Sequence, residues 1–368
     1  MNSFESSLNK FAMLIVDYCI STKAGDEVLV NASYEALPLI QEIWRELVSR
    51  GGYPRLNLVE ESLTEIFYRY ASEDLLKYKS DIDRYIVENI DARISIISST
   101  HTKPLVDVDP DKIRIRGQAN KELTEIFMRR DGEGSLKWVV TAYPTKALAQ
   151  EAGMSLLRYK EFLFKALKLG YEDPVKAWVE QTNRQEKIVE LLSGISELRF
   201  VAKDTDLTVK VDGRIWINDD GRKNMPGGEV FTAPHEDAVD GTILFDLPSV
   251  WRGIEVRNVK LKFRDGEVVE ADAEVGGAYL KKILETDEGA KRLGELAFGL
   301  NYDISESTKQ ILFDEKIGGT VHMALGAAYP STGGKNVSAI HWDMIKDMGD
   351  AIVYGDGEKI YVNGRFLI

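Results

Sequence analysis

The sequence is sparing with the side chains that most often carry redox or nucleophilic chemistry. Its 368 positions include one cysteine, Cys19, and four histidines, His101, His235, His322 and His341. A single cysteine excludes an internal disulfide and a thiolate-held metal cluster, and it points to a reducing compartment, so a cytoplasmic protein is expected. No apolar run reaches the roughly eighteen residues that a membrane span needs. The opening segment, MNSFESSLNKFAMLIVDYCISTKAGD, carries Glu5, Lys10 and Asp17 and reads as an amphipathic helix, not a signal peptide. Cys19 then falls on its apolar face as a small buried hydrophobe. Blocks of Lys or Arg are missing as well. With 60 acidic against 47 basic residues the net charge is −13, which repels a phosphate backbone and argues against nucleic acid as a partner. There is no internal repeat, low-complexity tract, P-loop or strand-borne GxGxxG. Six glutamines are few beside the plentiful Glu and Lys, a bias reported for heat-adapted proteins.

What remains is ordinary for a soluble globular chain, 44% hydrophobic and 29% charged, and too long for one core. GDEVLVNA, PRLNLVE, ARISIISS and SLKWVVTAY read as strands separated by helical stretches, among them PLIQEIWRELVSRGG and DPDKIRIRGQANKELTEIFMRR. That alternation predicts a parallel sheet. Residues from about Pro144 to Leu192 read as helices. From Glu197 onward the texture becomes short strands with turn signals, including a hairpin at Asp265–Gly266. The expectation is an α/β protein with an N-terminal α/β domain over 1–193, its sheet largely parallel. A strand-rich α+β domain over 194–368 follows.

The scarce histidines carry the chemical argument. His322 and His341 lie close in sequence, each near carboxylates. In HWD, His341 and Asp343 are two apart, so an extended segment turns both toward one site. Upstream, Glu315 and His322 flank Gly318–Gly319. A turn at those glycines would fold a Glu strand and a His strand together. Other assignments stay open between a supporting and a bland role. His235 is either a substrate group or exposed, and His101 a cleft residue or a surface one. Asn336 and Ser338 either orient ligands or cap turns.

Read together, MPGGEVFTAP (225–234), TDEGAKRLGELAF (286–298), ILFDEK with HMALGAAYP (311–330) and NVSAIHWDMI (336–345) resemble the thermophilic metalloprotease family of aminopeptidases. GDEVLV and WVVTAYPTKALAQEAGMS (138–155) extend the likeness over most of the chain. The resemblance implies two divalent ions, Zn, Co or Mn, held by Glu229, Glu295, Glu315, His322, His341 and Asp343. It further implies removal of N-terminal amino acids from peptides by a metal-activated water, and a homodimer. Tyr329 matches the family's active-site tyrosine and would stabilise the oxyanion, while Glu295 or Glu315 would shuttle a proton. One departure stands out, because KIGGTV puts six residues between Glu315 and His322, more than the family pattern has. The chemistry agrees, since four carboxylates and two imidazoles suit two dications better than one. Two other readings remain, a metal-stabilised peptide-binding protein without turnover and a two-metal hydrolase of another amide.

Overall fold

The structure is a computed structural model that describes residues 3–368. It resolves into two compact units, residues 1–175 with 222–225, and residues 176–221 with 226–368. The sequence reading placed the boundary at 193/194. The long helix Pro174–Ser193 accounts for the difference, because its Ile188 and Leu192 belong to the core of the second unit.

In the first unit four parallel strands run in the order Tyr53–Leu58, Glu27–Ala32, Ala92–Ile97, Lys137–Ala142. Alternate residues Val28, Val30, Ala92, Ile94 and Val139 are fully buried. The connecting helix Leu37–Ser49 buries Leu39, Ile40, Ile43 and Leu47 along one stripe. The helix Glu61–Tyr70 ends at Ala71, and Ser72 caps a new helix, Glu73–Lys77. The opening helix Leu8–Met13 continues as a wider π-helical turn, Leu14–Cys19, and Cys19 is buried. No helix among the described residues is long and apolar enough to cross a membrane.

The second unit holds two largely antiparallel sheets. One has nine strands, and its Ile254–Arg264 and Glu267–Val275 form the expected hairpin. Asp265 and Gly266 both take positive φ, 51° and 77°, as a tight two-residue turn with right-handed strand twist demands. The other sheet has five strands in the order His341–Asp347, Thr320–Gly326, Leu293–Gly299, Glu229–Thr232, Ile217–Asp219. Its register aligns Glu295 with Ala324 and Ala324 with Asp343, so a single row crosses three strands. Side chains alternate between faces. Leu296, Phe298, Val321, Met323, Trp342 and Met344 therefore fill the core on one face, and the polar set occupies the other.

Under that polar set the central positions are small, Ala297, Gly299 and Ala324, which leaves volume above the sheet. Gly299 is required for a second reason. A Cβ there would come 2.2 Å from the Ile317 carbonyl oxygen, so only glycine lets the segment after Glu315 lie against the sheet.

Gln185, on the Pro174–Ser193 helix, ties down one edge of the sheet. Its buried Nε2 donates toward Asn218 Oδ1 (2.6 Å), the Asp219 carbonyl (3.0 Å) and the Glu229 carbonyl (3.1 Å). Gln185→Leu keeps the volume but strips the donor from these acceptors. It is expected to cost about 1–3 kcal/mol, the range for leaving buried acceptors unpaired, read as a lower denaturation midpoint at unchanged slope.

Candidate metal centre

Each side chain of the cluster arrives for a local reason. Glu229 opens its strand, opposite Asp219 on one side and Gly299 on the other. Glu295 follows an irregularity in pairing between Leu293 and Glu295 that sets its row. His341 and Asp343 flank Trp342, whose indole points the opposite way and donates to Ser249 Oγ (2.7 Å). Ser249 in turn donates to the Asp343 carbonyl (2.6 Å), so the core face fixes the pitch of HWD.

Glu315 is not on a strand, contrary to the hairpin expected from the two glycines. It ends the short helix Ile311–Asp314, and the loop Lys316–Gly319 leads from it into the His322 strand. Asp314 anchors that helix by accepting from Thr308 N (2.7 Å), Thr308 Oγ1 (2.8 Å) and Lys309 N (2.8 Å). The extra residues of KIGGTV are thus an elbow between helix and strand.

The six residues expected to bind metal converge. His322 Nε2 lies 3.3 Å from Glu229 Oε2 and 3.4 Å from Glu295 Oε1. His341 Nε2 lies 3.2 Å from Glu295 Oε2 and 3.6 Å from Asp343 Oδ1. Two trios offer one ligand atom each within 4.8 Å of one another, Glu229–Glu315–His322 and Glu295–His322–Asp343. The His341 ring is oriented from behind, because Nδ1–H donates to the Ala327 carbonyl (2.8 Å) and leaves Nε2 facing the carboxylates. Tyr329 stands at the rim, 43% exposed, its ring edge-on to His341 at 5.1 Å and beside Phe231 at 5.8 Å.

Two members were not singled out in the sequence. Lys316 is fully buried, its Nζ paired with Glu315 and 3.4 Å from both Glu229 Oε1 and Asp219 Oδ2. Asp219 is the fifth carboxylate of the cluster and is itself buried. In sequence it hides in NDDG, which reads as a turn, and Lys316 hides in the segment that departs from the family pattern. That departure was the available signal. His235 Nε2 is held by the Asp212 carbonyl (2.8 Å), and His101 is exposed. Asn336 donates to the carbonyls of Gly289 and Gly326, and Ser338 to Asp287, so both brace the loop before HWD.

Charge dominates this centre. Burial resists ionisation of Glu295, yet hydrogen bonds from His322 and His341 outweigh it and draw the carboxyl down to about 2. Burial likewise opposes charging of the two imidazoles, but Glu295, Glu229 and Asp343 raise His322 to about 9 and His341 to about 10. Asp343 and Asp219 are each lifted to about 6 by burial, against the pull of His341 and Lys316 respectively. Glu229 is raised well above its ordinary range by the same cause. Lys316 is held charged by Glu229, Glu315 and Asp219 despite its burial. Glu229 Oε2, Asp219 Oδ2 and His322 Nδ1 are buried with no hydrogen-bond partner among the described residues. Surplus buried carboxylate with unsatisfied lone pairs, mixed with imidazole, is the donor set that divalent metal ions fit.

A family profile described as thermophilic metalloprotease (M29) matches residues 4–366. Aminopeptidase 2 of Geobacillus stearothermophilus is 30% identical over 97% of this chain and 92% of its own. Aminopeptidase AmpS of Bacillus subtilis (strain 168) is 29% identical with both chains fully covered. Among solved structures, wild-type AmpT from Thermus thermophilus matches with a TM-score of 0.86 at 26% identity, covering all of both chains.

A pH dependence follows for the metal-free protein. The raised pKa values of His322 and His341 mean that their contribution to stability is complete below about 6.5 and lost as pH climbs through about 9 and about 10. Calorimetry in chelator should show the melting temperature falling across that window. With metal bound the imidazoles are deprotonated, so the gap between loaded and stripped protein should widen over the same range. A flat metal-free profile would remove the imidazolium assignment.

Proposed function

This chain belongs to the thermophilic metalloprotease (M29) family, and from that premise we propose that it removes N-terminal amino acids from peptides with two divalent ions. The observation that carries the reading is the convergence of two ligand trios on one sheet face, sharing His322 and flanked by His341. Glu295, His322, His341 and Asp343 would hold one ion, and Glu229 and Glu315 the other, since the one lone pair of His322 Nε2 serves a single ion. Bound there, such ions supply an activated water and polarise the scissile carbonyl.

The protein's own groups do the rest. Tyr329 stays protonated, since partial burial and the surrounding carboxylates raise its pKa, and its phenol is therefore a donor. At the rim it is placed to hydrogen-bond the oxyanion that develops as water adds to the carbonyl carbon. The proton lost by the attacking water must reach the leaving amine nitrogen as the C–N bond breaks. Glu295 and Glu315 are the two glutamates considered for that task, and Glu315 is the more open of them, with 16% of its side chain exposed against 6% for Glu295. A surplus of carboxylate also suits recognition of a substrate's free α-ammonium. The same reading makes the enzyme a cytoplasmic homodimer loaded with Zn, Co or Mn; its buried lone cysteine is consistent with that compartment.

Peptides with a free N-terminus and their N-acetylated counterparts, assayed on the metal-loaded enzyme, test the substrate class. Hydrolysis of the free form alone is expected, and equal rates on both would reject an aminopeptidase. Chelator should abolish turnover while the circular dichroism of the fold persists, whereas a metal-stabilised binding protein would unfold. Tyr329→Phe keeps the ring against His341 and Phe231 and should lower kcat by about 10²–10³ with unchanged metal content. Near-normal turnover would reduce Tyr329 to a packing role.

A further inference from the structure

The two ligand trios differ in one respect that the ligand residues alone do not reveal. Lys316 Nζ pairs with Glu315 Oε1 and lies 3.4 Å from Glu229 Oε1, so it engages two of the three donors of one trio. The donors of the other trio are engaged by histidine instead, His322 and His341 on Glu295, and His341 on Asp343. Lys316 is fully buried on an elbow that lies against Gly299, which keeps its ammonium from retreating to water. Asp219, in neither trio, offers it a carboxylate at 3.4 Å. The two metal positions therefore face different competitors. One competitor is imidazole, which becomes a ligand by giving up its proton. The other is a buried ammonium that engages two of the position's own donors and has no path to water.

We propose that Lys316 makes the two positions unequal, so that the Glu295–His322–His341–Asp343 position fills first and tightly, and the Glu229–Glu315 position fills second and more weakly. This rests on the two-ion reading above. Filling the second position requires Glu229 and Glu315 to turn from the ammonium to the incoming ion, and Lys316 to be taken up by Asp219 alone. The ammonium then stands beside a dication, a like-charge repulsion that the first position does not meet. Lys316 is thus a positioning residue, acting on the ions through the carboxylates it holds.

The test is titration of chelator-stripped, dialysed full-length protein with Co2+, followed by calorimetry and by the visible bands of the bound ion, with no substrate present. Wild-type protein should bind two ions whose dissociation constants differ by at least about tenfold, with successive spectra of different shape. Lys316→Met should tighten the second step by about tenfold or more and change the first by less than about threefold. Asp219→Asn, which is isosteric and guards against a misfolded methionine variant, leaves Lys316 only Glu229 and Glu315 as carboxylate partners and should widen the separation by about threefold or more. Two equal steps in wild type, or a separation untouched by both substitutions, would overturn the proposal. One ion at saturation in wild type but two in Lys316→Met supports it in its strongest form. One ion in both overturns the two-ion reading and the proposal with it, an outcome separable from two equal sites by stoichiometry alone.

Discussion

The constraint on which the second unit depends is the gathering of five carboxylates over one face of a single sheet, with Asp219, Glu229 and Glu295 buried and Glu315 and Asp343 half-buried. Uncompensated, such a set is untenable at low dielectric. Within the protein the compensation comes from two imidazoles and one ammonium, and the distorted acidities of Glu295, His322 and His341 record how closely these charges share their space. The small residues Ala297, Gly299 and Ala324 beneath them, the elbow that brings Glu315 and Lys316 over the sheet, and the backward tether of His341 to Ala327 each serve to keep opposite charges adjacent.

The aromatic core on the opposite face is part of the same arrangement. Trp342 and Ser249 form a short chain of hydrogen bonds that ends on the backbone of Asp343. Gln185 does the equivalent for Glu229 from a helix. The carboxylates and imidazoles of the cluster are thus held by elements beneath and beside them, as pre-organised polar sites require.

Much of this was legible in the sequence, and for identifiable reasons. The strand and helix alternation of the first half and the turn at Asp265–Gly266 are local signals, and the structure follows them. HWD was readable because extended backbone has a period of two. Glu229 and Glu295 were another matter. Each is a lone glutamate in an otherwise apolar strand, and only the likeness to a family marked them. Glu315 lies in the cluster but on another element than expected, because Gly318–Gly319 signals a turn without saying that a helix precedes it. Lys316 and Asp219 were missed. A lysine beside a glutamate ordinarily means a solvated surface pair, and nothing local shows that the lysine will be enclosed beside Asp219 and Glu229, on strands much earlier in the chain. The domain boundary was likewise drawn at the end of the helix Pro174–Ser193, since its attachment is decided by contacts with strands still to come in the chain.

The strict two-faced character of the five-stranded sheet also bears on how the chain reaches this state. Slipping any of its strands by one residue would exchange the faces, driving carboxylates and histidines into hydrocarbon and lifting Phe298, Met323 or Trp342 into a nest of charge. Each such misalignment is penalised twice, once for stranded ions and once for lost apolar burial. A sheet whose two sides were both greasy would tolerate near misses. The chemistry carried on one side of this sheet therefore acts, during assembly, as an alignment key for all five strands.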